Sequence, residues 1–441
     1  MNKKNIIISC CVAVFSTFSV SAQQPLRISQ AECREMALSY SEDLQQSDNA
    51  LRQAELDRKI AKTAFLPKFE GSAMGVYMYP DVDMMGMGME LRMRGTYMAD
   101  IGLTQPIYTG GKIRSGLRLA RIGEEAAAEQ HRMTRMDVLV EVDNAYWTYI
   151  AVGQKIRMLE SYQAQMDTLY RQIETAVVAG MATENDLLRI DAKRTEIHYQ
   201  LQKVQNGAEL CRMSLCRIVG VDFDTQIETV DTTFVISQPD KLTADINSRP
   251  ELHLLEKQVA AEKEQIRMAR AEMLPTVGLT ANYMYFGNLK LNGMADNGSG
   301  TMVPYSQEFR EGNGMVMLAV KIPIFSWGKN RKKVRKAQYG LRNAELDLQK
   351  NTRLLTIEMQ QAIRNIQDGY RLIYTAEKGL QQADENLRVM RNRYVASMAS
   401  LTDLLDAQSQ WQQAKSNLIE AQTQYKIYET EYLRATGSLD F

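Results

Sequence analysis

The sequence predicts a mainly α fold with a small β part: an internal duplication of long antiparallel coiled-coil helices, with four strands per chain. Three observations carry this. Apolar residues recur at 3.5-residue spacing over Val138–Val177, stepping through Val142, Tyr149, Ile156, Met166, Tyr170 and Ile173, with Gln163 as the one polar step. A 3.5 period held over about five heptads is a coiled-coil seam, and its shortfall from 3.6 implies a left-handed supercoil. The same phase returns 217 positions later, from Leu355 through Met359, Ile366, Ile373 and Leu387 to Tyr394. Finally, the period changes to 2 in two pairs of segments, 68–108 and 276–325.

The duplication extends to identities. Pro106-Ile107 matches Pro323-Ile324, Gly111-Lys112 matches Gly328-Lys329, and Asp186-Leu187-Leu188 matches Asp403-Leu404-Leu405. Upstream, Leu66-Pro67 answers to Leu274-Pro275 at an offset of 208, so the second copy holds nine extra residues between those anchors. A repeat of this kind has to be found before any fold is assigned.

In chain order, residues 1–22 read as a signal peptide: Lys3 and Lys4, an apolar run, then Val20-Ser21-Ala22. The first repeat occupies 23–220. Ser29-Gln30-Ala31-Glu32 is a capping box opening a helix that breaks near Ser41 and ends at Leu66-Pro67. The strand pair 68–108 follows, with Phe69, Gly71, Ala73, Tyr97, Ile101 and Leu103 on one face. No proline after Pro106 interrupts a long helix over 112–178, about 100 Å at 1.5 Å per residue. Ala179-Gly180-Met181 turns the chain into a return helix at 183–219. Residues 221–247 form an inter-repeat equatorial linker, expected on the outside of the rods. The second repeat, 248–441, repeats the plan with a helix, strands in 276–325, a long helix 329–395, the turn Ala396-Ser397-Met398 and a return helix 400–436. Its strands are expected to be about ten residues long, as barrel strands are, with Gly287–Asn313 as an external hairpin loop.

Composition excludes several function classes. Lys plus Arg equal Asp plus Glu at 53 each, which gives a nucleic-acid partner no electrostatic support. The mature chain keeps Cys33, Cys211 and Cys216, an odd number without disulfide or metal spacing. Three histidines stand unpaired, no nucleophile motif or phosphate loop occurs, and neither an enzymatic role nor a cofactor is indicated. After the leader no apolar run reaches the ~18 residues a membrane helix needs. The strands, apolar on one face and polar on the other with tyrosines near their ends, suit a barrel wall instead. Four strands cannot close a barrel, and an open edge in lipid costs several kcal/mol per unsatisfied group, so several chains must share one.

The duplicated plan, Leu66-Pro67 with Leu274-Pro275, Gln105-Pro106-Ile107-Tyr108 with Ile322-Pro323-Ile324-Phe325, Arg249-Pro250-Glu251-Leu252, and Tyr394 through Asp403-Leu404-Leu405-Asp406-Ala407 together resemble the outer-membrane efflux protein family, the TolC-like outer-membrane channels. The resemblance covers nearly the whole mature chain. It implies a homotrimer in the outer membrane of a Gram-negative bacterium. A twelve-stranded transmembrane β-barrel set in outer-membrane lipid would continue into a helical periplasmic tunnel. It implies an exit duct of a tripartite efflux or secretion system, docking with a periplasmic adaptor (membrane fusion) protein and an inner-membrane pump of RND, ABC or MFS type. A secreted periplasmic coiled-coil scaffold is the alternative, which the alternating, tyrosine-bearing strands disfavour.

The same resemblance places a periplasmic gate at Asp403 and Asp406, with a latch at Tyr394 and Asp186, and adaptor contacts at the tips Ala179, Gly180, Met181, Ala396, Ser397 and Met398. Asp403 and Asp406 lie three apart on one helix face, and a ring of such carboxylates favours cations and raises pKa values by mutual repulsion. Ser400 and Thr183 each stand three residues before an aspartate, so helix capping also accounts for Asp403 and Asp186, but not for Asp406; the gate is the preferred reading of Asp403, and one side chain can serve both. The family's latch arginine is replaced by Ala399, leaving Arg393 or Arg189 as partners. Met84, Met85, Met87, Met89 and Met93 crowd the first hairpin and read as a flexible outer loop, not a soft-metal site.

Overall fold

The computed structural model describes residues 25–83, 89–239, 242–296, 298 and 300–439. The leader and Met84, Met85 and Met87 lie outside them. The chain divides into two compact units. The first combines the residues up to Tyr40 with Glu141–Ser237 and Arg371–Ile427; the second combines Ser41–Val140, Gln238–Tyr370 and Tyr428–Phe441.

The elements are β1 (Leu26–Ile28), α1 (Gln30–Tyr40), α2 (Glu42–Thr63), β2 (Lys68–Tyr77), β3 (Val82–Asp83), β4 (Glu90–Arg92), β5 (Arg94–Tyr108) and α3 (Lys112–Val178). They continue with α4 (Glu184–Val219), β6 (Ile227–Thr229), α5 (Pro250–Ala271), β7 (Thr276–Asp296), β8 (Met302–Lys321), α6 (Lys329–Val395) and α7 (Leu401–Thr436). The two long helices both hold 67 residues and the two return helices both hold 36. Ser41 is the break in the first helix: its hydroxyl accepts from the Leu44 backbone N–H and restarts the helix as an N-cap.

In the first unit α3 touches two neighbours at once. Tyr162, Met166, Leu169 and Ile173 bury against Ile190 and Ile197 of α4 and Leu401 and Leu404 of α7. Higher up, Met158 and Leu159 meet Leu201 and Ile419. A single a/d seam serves one partner; two partners need a second row. Hence Leu139, Tyr146, Ile150, Tyr162 and Leu169, off the expected seam, are fully or nearly fully buried, while seam residues Ala145, Tyr149, Val152 and Ile156 are only half-buried. The linker also carries structure that the sequence did not announce. Its β6 pairs in parallel with β1, and Tyr149 and Tyr146 of α3 donate to Ile227 O and Asp231 Oδ2 at 2.8 and 2.7 Å. The sequence carried no period long enough to announce three-residue strands.

In the second unit the sheet runs β2-β5-β7-β8, antiparallel throughout, with β4 and β3 continuing beside the upper part of β7. The ladder aligns Phe69, Leu103, Ala281 and Val316 in one row and Gly71, Ile101, Tyr283 and Gly314 in the next. Directly paired residues share a face, so this face is apolar. The other face carries rows such as Ser72, Asp100, Met284 and Asn313. Tyr97 lies over Gly287 and Tyr283 over Gly312 so closely that a Cβ at either glycine would sit within 2.5 Å of the phenol oxygen. Two expectations fail here. β5, β7 and β8 hold 15, 21 and 20 residues rather than about ten. The Gly287–Asn313 segment, read as a loop, is mostly a continuation of the β7–β8 hairpin, because β4 supplies Leu291 and its neighbours with a further ladder. Among the described residues the outer edges of β2 and β8 have no partner strand.

Candidate functional site: the paired helical turns

Both turns belong to the first unit, and their closing bonds match. At the end of α3, Gly180 takes a left-handed backbone (φ 73°), and the Met181 and Gly180 N–H groups donate to Ala176 O and Val177 O at 2.8 and 3.0 Å. At the end of α6, Ser397 takes the same conformation (φ 57°), and Met398 and Ser397 donate to Arg393 O and Tyr394 O at 2.7 and 2.9 Å. These 6→1-type closures satisfy the last carbonyls of each rod. They leave an apolar pair exposed at each tip: Val178 and Met181 at 87% and 81%, Val395 and Met398 at 78% and 76%. Ala179, Gly180, Ala396 and Ser397 between them are exposed too.

The returning helices open with matched capping boxes. Thr183 Oγ1 and N–H donate to Asp186 Oδ2 at 2.7 and 3.2 Å, and the Asp186 N–H donates back to Thr183 Oγ1 at 3.2 Å. Ser400 and Asp403 repeat this at 2.7, 3.0 and 3.2 Å. The Ser400 hydroxyl, then its backbone N–H, hold the Asp403 carboxyl below its ordinary range. Within one chain Asp403 is thus a capping carboxylate, fixed in place and ionised. Asp406 is exposed one turn further along α7.

Tyr394 packs against the cluster formed by Tyr162, Ile190, Leu401 and Leu404. Burial, with a smaller contribution from the Asp186 carboxylate, pushes its hydroxyl above the ordinary tyrosine range. The structure therefore brings Tyr394 into the field of Asp186. Of the two arginines considered at the latch, Arg189 reaches across from α4 to α7, Nη1 donating to Thr402 Oγ1 at 2.7 Å. Sequence reasoning missed Thr402, whose position inside the capping motif drew attention to its neighbours instead. It also missed Arg194, which pairs with Asp167 at 2.7 Å and stacks 4.4 Å over the Tyr170 ring, tying α4 to α3 behind the tip.

The family model "Outer membrane efflux protein" matches residues 33–211 and 244–438, one match per repeat. The chain is 24% identical over 355 residues to the outer membrane protein TolC of Escherichia coli, covering 78% of this chain and 69% of that protein. It is 24% identical over 426 residues to the outer membrane protein OprJ of Pseudomonas aeruginosa, covering 91% and 82%. Among solved structures, the outer membrane protein VceC of Vibrio cholerae superposes with a TM-score of 0.76 at 17% identity, over 92% of this chain and 96% of that one. With both repeats matched by its model, the chain belongs to the outer membrane efflux protein family.

Proposed function

We propose that the protein works as a homotrimeric exit duct of the outer membrane, taking cargo from the periplasm to the exterior, with its gate at the paired turns. The observation that carries this reading is the sheet of the second unit. One face is apolar, and among the described residues both long edges, β2 and β8, lack a partner. An apolar-faced sheet with open edges is stable in lipid only if further copies pair β8 with β2 and close the ring, and three copies give about twelve strands.

The exposed apolar tips Val178, Met181, Val395 and Met398 are the surface we assign to a periplasmic adaptor, which would join the duct to an inner-membrane pump of RND, ABC or MFS type. The gate is assigned to Asp403 and Asp406, repeated around the axis, with Tyr394, Asp186 and the Arg189–Thr402 bond latching the turns. A narrow ring of carboxylates favours cations. Planar-bilayer recording tests the gate: the Asp403→Ala, Asp406→Ala double variant should lose the cation preference of the purified trimer. Unchanged selectivity would reduce Asp403 to a helix cap. A detergent-extracted protein running as a monomer would remove the shared barrel itself.

A further inference from the structure

The sheet reverses its sidedness at one level. On β7, odd-numbered residues up to Tyr285 and Gly287 share the apolar face with Tyr97, Ala99 and the even-numbered residues of β8. Between Phe286 and Leu289 the ladder slips: β7 advances three residues while β8 advances two. The extra residue is Asn288, in the left-handed region at φ 55°. β5 carries a matching interruption at Gly95, φ 77°, where its pairing passes from Val76–Thr96 to Tyr77–Arg94. The two bulges are stitched together, Asn288 Nδ2 donating to both Arg94 O and Gly95 O at 3.1 Å, and Thr96 Oγ1 donating to Asn288 O at 3.1 Å.

One inserted residue moves every later side chain of a strand to the opposite face. β8 has no such insertion, so its alternation carries through as a reference. Phe309 and Tyr305 lie on the same face as Met315 and Met317, the face opposite the apolar wall. Above the bulge Leu289 pairs with Phe309, and Leu91 pairs with Leu291, so these leucines have moved to that face. The row Arg92, Lys290, Glu308 has moved outward in exchange. Below the bulges the sheet is apolar outside and largely polar inside; above them its outer face carries Glu90, Arg92, Lys290 and Glu308, and its inner face is apolar apart from Gln307. The first arrangement suits lipid and the second suits water, so the bulges mark where the bilayer ends.

We propose that the sheet above the bulges is an extracellular closure, in which the inward apolar faces of three copies (Leu91, Leu289, Leu291, Val303, Tyr305, Phe309) meet over the mouth of the barrel. This rests on the shared-barrel reading, and the second and third copies are its occupants because of continuity. β8 runs unbroken from the edge that must pair with the next chain into this upper sheet. Reach allows it. From Leu289 to Asp296, β7 extends about 25 Å at ~3.3 Å per residue, whereas twelve tilted strands ~4.8 Å apart enclose a radius of only ~12 Å. An apolar constriction of this kind narrows the wetted path and so reduces ion flow, without selecting by charge.

Two cysteine variants and one acidic variant test it. Val303 stands on the inward face, paired with Ala295; Met294, paired with Pro304, stands on the outward face at the same height. Oxidation of whole outer membranes should cross-link Val303→Cys into disulfide-joined chains at least about fivefold above the wild-type protein, since the bond forms only where Cα atoms come within about 7 Å. Met294→Cys should stay at the wild-type level. In bilayers, the Leu291→Asp, Phe309→Asp variant should show single-channel conductance raised about twofold, because a wetted constriction conducts. Either a trimer whose Val303→Cys does not cross-link more than Met294→Cys, or an acidic variant of unchanged conductance, would overturn the closure while leaving the barrel intact. A wild-type protein that is monomeric and forms no pore would instead overturn the barrel.

Discussion

The two long helices descend from one repeat and have equal length, yet they bury different amounts of themselves. In α6 the row Leu355, Met359, Ala362, Ile366 and Ile373 is buried, and Leu354, Ile357, Leu372 and Tyr374 beside it are exposed. In α3 a second row is buried as well, including Tyr146, Ile150, Met158, Tyr162 and Leu169. The positions of α6 that correspond to those five by the 217-residue offset are Ile363, Gln367, Thr375, Gly379 and Asn386. One helix kept large apolar groups there because its own chain supplies two neighbours. In α6 only Ile363 is of that kind, the other four being polar or small, and the groove it shares with α7 (lined in part by Ala376, Gly379, Ala414 and Ala421) stays open within the chain. Duplication copies a seam; the contact environment then decides how wide the seam has to be.

The largest effect that would sharpen this contrast is at the matched pair Tyr162 and Gly379. Tyr162→Ala should cost about 3–5 kcal/mol, the range for emptying a large buried side chain, read as a drop in the denaturant midpoint. At Gly379 a Cβ meets nothing within 4 Å in the chain, so Gly379→Ala should add the helix preference of alanine, about 0.8–1 kcal/mol. If Gly379→Ala destabilises the protein instead, a neighbouring chain fills that groove.

A second contrast lies in a duplicated ion pair. Arg217–Glu141 in the first unit and Arg434–Glu358 in the second occupy corresponding positions. The first stands alone and exposed, and Arg217→Ala should change stability by at most ~1 kcal/mol. The second belongs to a network with Asp137, Glu251 and Arg249, whose guanidinium is 1% exposed and donates to Glu251 and Glu358 at 3.0 Å. Arg249→Ala empties a buried site and leaves both carboxylates only the longer contacts to Arg434, and should cost about 3 kcal/mol, measured in the same unfolding series.

The network also fixes a pH dependence. Burial raises the Glu251 carboxyl, but the Arg249 guanidinium and a backbone N–H outweigh it, and the net shift is downward. A carboxyl depressed in the folded state stabilises at pH above its unfolded value of about 4.3, and that contribution disappears as pH falls through the lower folded value. Hydrogen exchange should therefore show the Arg249–Glu251 junction opening below about pH 4, with Arg249→Ala flattening that profile. The Asp403 cap has the same sign, its carboxyl also being depressed, so the start of α7 should keep its cap until pH falls below the ordinary aspartate range.

The smallest effect separates the two turns. Gly180 takes its left-handed backbone freely, whereas Ser397 pays about 1 kcal/mol for the same conformation. Ser397→Gly should slow amide exchange at the α6–α7 turn, and Gly180→Ala should speed it at the α3–α4 turn. Equal responses at both turns would mean that something beyond backbone geometry holds them.

The sequence by itself determined the local grammar of this protein. The 3.5 period and the flanking prolines set the rods, the small residues set the turns, Ser41, Thr183 and Ser400 set the caps, and the period of 2 set the alternating wall. All of these are written within a few residues of where they act. Tertiary structure alone decided what depends on residues distant in the chain: the second buried row of α3, the β1–β6 pairing, the Arg189–Thr402 bond between returning helices, and the reach of β7 and β8 beyond the expected loop. The bulges at Gly95 and Asn288 show the reason most clearly. A glycine and an asparagine 193 positions apart are unremarked in sequence. Hydrogen-bonded side by side, they exchange the residues that the two faces of the sheet present.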